Sequence, residues 1–140
     1  MGTEENKALV RRWFEEMDRG NLAVIDELLA EDYVDHNPPL ADLPDGREGV
    51  RRASELLLAA FPDAVHVIEE QLAEGDRVMT RILVRGTFTG EILGFRPTGK
   101  LVELRGMAVH RVENGRLAEH WAQVDMVAFA QQLEPDAAVG

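Results

Sequence analysis

The hydrophobic period of this chain changes once, at Pro62, and that change restricts the fold more than any other feature. Before Pro62 the apolar residues recur at helical spacing. Leu9, Val10, Trp13, Phe14 and Met17 predict an amphipathic first helix, with Thr3 as its candidate cap, Glu4 and Glu5 in the first turn and Gly20 as its stop. Asn21 is placed to cap a shorter helix carrying Leu22, Ile25, Leu28 and Leu29, after which DYVDHNPP is broken at Pro38 and Pro39. Residues 40–46, LADLPDG, read as a loop into a third helix with Val50, Ala53, Leu57 and Phe61 on one stripe. Pro62 ends it, because the residue before a proline is disfavoured in helical conformation.

Beyond Pro62 the period falls to two. AVHVIEEQLAE, DRVMTRILVRGTFTG, KLVELRGMAVHRVE and RLAEHWAQVD are successive strand candidates, separated by Gly75-Asp76, a loop at 90–99 and Asn114-Gly115. Four such strands in a row predict an antiparallel sheet. Arg77, Arg81 and Arg85 fall on one face and Val78, Ile82 and Val84 on the other; Glu103, Arg105 and Arg111 likewise oppose Val102, Leu104, Ala108 and His110. Helices packed across the apolar face would give an α+β domain, a curved sheet wrapped around a helix with a pocket inside. The chain of 140 residues fits one domain spanning 1–140, with the tail from 134 to 140 frayed.

Composition removes several classes of function. A formal net charge of -11, with 15 dispersed basic residues, argues against nucleic acid or an anionic membrane as partner. The absence of cysteine excludes disulfides, thiol nucleophiles and thiolate metal sites. No apolar run has bilayer length and the N-terminus is charged and helix-like, so a cytoplasmic protein is expected. The four histidines are scattered without HxH or HExxH spacing, and no GxGxxG or GxxxxGK[ST] pattern occurs. Neither a metal nor a nucleotide cofactor is expected.

The residues that carry chemistry cluster toward the C-terminus. Asp125 ends the last strand and can cap the helix-like MVAFAQQL; alternation also puts it on one side of the strand with Trp121 and Gln123, as an aromatic wall, an amide and an acid. His110 shares a face with Leu104, Gly106 and Ala108, where small neighbours leave room before an imidazole. A proton-transfer or enolate-binding role and a bonded core histidine are both open for it. His120, of opposite parity to Asp125, and His66 read as surface residues. His36 and Asn37 stand at the Pro38 break, where they form either a solvated turn or a carbonyl-binding pair at the pocket mouth. Tyr33 either bonds a ligand or packs.

Taken in order, the FPD triplet, the segment GTFTGEILGFRPTGK and the ending ENGRLAEHWAQVD resemble the SnoaL-like polyketide cyclase and ester cyclase family, with DYVDHNP extending the match over nearly the whole chain. The resemblance implies the cone-shaped α+β fold shared with nuclear transport factor, scytalone dehydratase, limonene epoxide hydrolase and ketosteroid isomerase, paired as a homodimer through the open sheet face. It implies a cofactor-free intramolecular aldol condensation of a small apolar keto-ester or polyketide-like molecule. On this basis Asp125 is the acid/base, His110 and Gln123 flank the enolate, and His36 or Asn37 orients a carbonyl, with Trp121 and Tyr33 around the substrate. Two departures stand out, Phe88 and Ala108, at positions where the resemblance leads one to expect polar side chains. Epoxide or ester hydrolysis, and non-catalytic binding of a small molecule, remain alternatives on the same fold.

Overall fold

A computed structural model describes residues 2–134 of the chain. Its first helix, α1 (Thr3–Asp18), turns Val10, Trp13 and Phe14 inward, three of the residues whose spacing predicts it. The cap differs from expectation: Gly2 holds the N-cap position and no side chain bonds there, because Thr3 is already the first helical residue. At the far end Gly20 takes a φ of 73°, a left-handed value open to a residue without Cβ. Asn21 precedes a 3-10 turn (Leu22–Val24) that runs into the short α2 (Ile25–Leu28), and its amide reaches back to Glu16 at 2.7 Å instead of capping.

The helix expected to include Leu29 stops one residue earlier, and Leu29–Asp35 forms a strand, β1. A loop leads to α3 (Gly46–Ala60), which buries Ala53 and Ala60. Then come β2 (Val65–Glu74), β3 (Arg77–Thr87), β4 (Leu101–Glu113) and β5 (Arg116–Val124), followed by α4 (Met126–Leu133). Successive strands from β2 to β5 pair antiparallel, as predicted. β1 adds to β5 in parallel, giving the order β1-β5-β4-β3-β2 and making the sheet mixed rather than antiparallel throughout. The β4–β5 hairpin turns at Asn114 and Gly115, both with positive φ (50° and 75°), the combination that suits the right-handed twist of the strands it joins. Of the tail expected to fray, residues 135–140 lie outside the described residues.

The helices cover one face of the sheet. Val10, Phe14, Ile25 and Tyr33 meet Val78 and Leu117 there in the larger apolar cluster. A second cluster joins the end of α3 to the loop after β3 and to α4: Phe88, fully buried, stacks on Phe61 with ring centroids 5.3 Å apart, beside Val102 and Leu133. In the loop a Cβ on Gly90 would come within 2.5 Å of the Ala59 carbonyl oxygen, so only glycine permits its backbone to bond to Ala60. The FPD triplet works at the same place. Asp63 accepts from the Thr87 N–H at 2.7 Å and its hydroxyl at 2.6 Å, bonds that tie the turn after α3 to the end of β3 and hold the Asp63 carboxyl below the usual range.

Past the end of β5, the free edge of β4 is occupied by a side chain. The Gln132 amide accepts from the Glu103 N–H and donates to the Glu103 carbonyl, both at 2.8 Å, as a neighbouring strand would.

Candidate functional site

Which side chains meet is decided by one residue of β5. Leu117 pairs with Val112 and Glu119 with Arg111, so Ala118 is an extra residue with no partner on β4. Such a bulge reverses the alternation of everything beyond it. His120 then pairs with His110 and Ala122 with Ala108 on the helix-covered inner face, while Trp121 and Gln123 pair with Val109 and Met107 on the outer face. The expected convergence of His110 with Trp121, Gln123 and Asp125 therefore does not occur. Without the bulge, the simple alternation read from sequence would have held.

On the inner face His110 is 1% exposed and its Nδ1 has no hydrogen-bond partner. Burial, and secondarily the neighbouring His120, hold its pKa well below 6.5, so the ring is neutral at pH 7. Its ring lies 4.8 Å from that of His120 and edge-on to Phe14 at 5.9 Å. His120, expected at the surface, faces inward and bonds through Nδ1 to Asp35 Oδ1 at 3.0 Å, the two side chains 18% and 17% exposed. Val84, Leu104, Gly106 and Ala122 on this face are half-buried, so the helices do not seal it. Tyr33, also inward, is packed in the main core; burial first, then the Asp35 charge, push its phenol far above the ordinary range.

The remaining candidates stand elsewhere. The His36 ring lies flat over Trp121 at 4.6 Å on the outer face and bonds to Glu119 at 3.0 Å, while the Arg77 guanidinium sits 4.9 Å from the Trp121 ring. Glu119 is also bonded to Arg111, and these two partners, Arg111 first, hold its carboxyl below the usual range. Asn37 accepts from the Ala122 N–H at 2.9 Å through its side chain, and its own N–H donates to Asp35 Oδ1 at 3.0 Å. Gln123 is exposed. Asp125 is exposed too and caps α4, accepting from the Ala128 N–H at 3.0 Å, as the capping alternative expected. It opens on a depression of about 290 Å3 shared with Glu103, Arg105 and Gln132. A second depression, of about 430 Å3, lies between β1 and the β4–β5 turn. His66, the other residue assigned to the surface, is partly buried, stacked on Phe14 and bonded to Asp18 at 2.5 Å.

Sequence reasoning thus missed Asp35 and His120. A signal was present: the dipeptides Asp35-His36 and Glu119-His120 each put an acid on one face of a strand and a histidine on the other. Parallel pairing of β1 with β5 sets Asp35 beside His120, which the sequence period alone does not reveal.

A family model described as SnoaL-like polyketide cyclase matches residues 8–133. The chain belongs to the SnoaL-like polyketide cyclase family. This SnoaL-like chain is 26% identical over 131 residues to the aklanonic acid methyl ester cyclase DnrD of Streptomyces peucetius, covering 89% of this chain and 88% of that one. Among solved structures it resembles IdmH, a proposed polyketide cyclase from Streptomyces antibioticus, with a TM-score of 0.79 and 33% identity over 91% of this chain and 97% of IdmH. It resembles equally AclR of Streptomyces galilaeus, a proposed hydroxylase, with a TM-score of 0.84 and 29% identity over 96% of this chain and 83% of AclR. The fold is common to the two solved relatives; the reaction named for them is not. Among the described residues of the SnoaL-like chain, no helix is long and apolar enough to cross a membrane.

Proposed function

We propose that the chain is a cofactor-free acid/base cyclase that closes a ring by aldol-type chemistry in a small apolar keto-ester or polyketide-like molecule bound against the inner face of the sheet. The observation that carries this reading is His110, a buried neutral imidazole with an unpartnered Nδ1. Leaving a buried polar atom unbonded costs on the order of 1–3 kcal/mol, a cost that recurs at sites where a ligand completes the bond. A neutral imidazole N–H can donate to the oxygen of an enolate as charge develops there. The small Ala108 and Ala122 pair beside it, and Leu104 and Ala122 on the same face are only half-buried, which suits a flat apolar body. The similarity to DnrD supports ring closure of an ester as the reaction class.

Asp125 has no part in this reading, since it is solvated, engaged in capping and directed away from His110. As partner we propose a second copy of the chain, packed through the outer face, where Leu72, Met107 and Val67 are exposed. Light scattering of the purified protein tests this, a monomer at all concentrations being the contrary result.

The reaction is tested by incubating the purified chain with aklanonic acid methyl ester in water enriched in oxygen-18. A product of unchanged mass with a new ring is expected. Incorporation of the label would mark a hydrolase instead, and a ligand that raises the melting temperature but is recovered intact would mark a binding protein.

A further inference from the structure

Resting on the cyclase reading, the geometry points to His120, oriented by Asp35, as the base that takes the substrate's carbon-bound proton. Three of the four histidines have a carboxylate partner, so the pairing alone does not single one out. His36 spends its ring face on Trp121 on the outer side of the sheet. His66 is clamped between α1 and β2, with Asp18 also accepting its backbone N–H at 2.8 Å. His66 also faces the inner side, paired with Val84, but Phe14 stacks on its ring; His120 faces that side beside His110 and next to the small Ala122.

The dyad is built outward from the backbone. β5 fixes the Asn37 side chain through the Ala122 N–H, and the Asn37 N–H in turn holds Asp35 Oδ1. A carboxylate only accepts, so His120 must carry its proton on Nδ1, which leaves the lone pair on Nε2. Asn37 and Asp35 are therefore positioning residues, and His120 is the group that meets substrate. The Asp35 charge also stabilises the imidazolium that forms when His120 takes a proton. His110 stays neutral beside that imidazolium, because two adjacent rings do not both bear charge, and so remains a donor or acceptor of uncharged type throughout.

The step balances without a co-reactant. Nε2 of His120 removes a proton from the carbon between two carbonyls, and the C–H electron pair becomes the enolate. That carbon attacks a ketone carbon of the same molecule, a C–C bond forms, and the carbonyl π pair moves to its oxygen. The His120 imidazolium returns the proton to this oxygen as the hydroxyl. No atom is gained or lost and nothing is oxidised.

The test compares wild type, Asp35→Asn, His120→Gln and the outer-face control Glu119→Gln on aklanonic acid methyl ester. Loss of roughly 10²–10⁴-fold in kcat for the two inner variants, with KM nearly unchanged and Glu119→Gln like wild type, supports the assignment. Wild-type turnover that survives both inner substitutions overturns the dyad and leaves the cyclase reading standing. Should wild type not turn the ester over, that reading fails for this substrate and the dyad is decided by nitrogen-15 NMR of the imidazoles. A His120 tautomer protonated on Nδ1 in wild type, and redistributed in folded Asp35→Asn, supports it; a tautomer protonated on Nε2 in wild type overturns it.

Discussion

Where β1 meets β5, two consecutive acid-histidine dipeptides form two reciprocal pairs on opposite faces of the sheet: Asp35 with His120 inside, His36 with Glu119 outside. The chemistry of the pairs is the same, and their surroundings differ. The inner pair is less than one-fifth exposed and abuts a buried, unpartnered imidazole, whereas the outer histidine is 38% exposed, covers Trp121, and shares its carboxylate with Arg111. An ion pair in solvent contributes at most about 1 kcal/mol, while the same contact in a less polar enclosure directs a proton. The difference between a surface clasp and a candidate reaction site is thus set by which face each residue takes.

The largest expected contrast is in turnover. Asp35→Asn should lower kcat by about 10²–10⁴-fold and Glu119→Gln should leave it unchanged; equal losses would erase the distinction between the faces. Packing should follow the same division. Phe88→Ala, which empties the stack on Phe61, is expected to cost about 3–5 kcal/mol in urea denaturation, against about 0.5 kcal/mol or less for the exposed Val127 changed to Ala.

Substituting His110 with Phe sharpens the inner side alone. Its pKa is lowered on folding, so below pH 6.5 the unfolded chain takes up a proton that the folded chain refuses. The stability this residue allows is complete above that pH and falls as the medium is acidified, by up to about 1.4 kcal/mol per unit. His110→Phe should remove that slope between pH 6.5 and 5 in denaturation curves, while abolishing turnover. An unchanged slope would mean that His110 is not protonated on unfolding.

The smallest effect belongs to the outer end of β5. Asp125→Ala should cost about 1 kcal/mol in thermal denaturation through loss of the α4 cap, and Asp125→Asn only a few tenths. A kcat loss for Asp125→Asn as large as that of Asp35→Asn would restore to Asp125 the role that family resemblance first gave it.

Much of this architecture was legible in the residues themselves. The period change at Pro62 marked the passage from helices to strands, Asn114-Gly115 marked the hairpin, and the alternation of Arg77 through Arg85 gave the faces of β3. Local signals end there. β1 was missed because Leu28 and Leu29 continue the helical stripe of Leu22 and Ile25, Glu31 and Asp32 are poor strand formers, and its partner lies about eighty residues away. Ala118 left no trace either, since a bulge needs only an unpaired residue and alanine has no preference that reveals one. That single position moved Trp121, Gln123 and His120 to faces opposite to those predicted for them.

The amide of Gln132 on β4 has a consequence for the solubility of the chain. Where β5 ends, β4 would otherwise present an unpaired N–H and carbonyl at Glu103, the template on which a strand of another molecule could add. By imitating that missing strand with a side chain, α4 works as a stopper against edge-to-edge aggregation, so a fragment lacking α4 should join its neighbours at an edge the intact chain keeps closed.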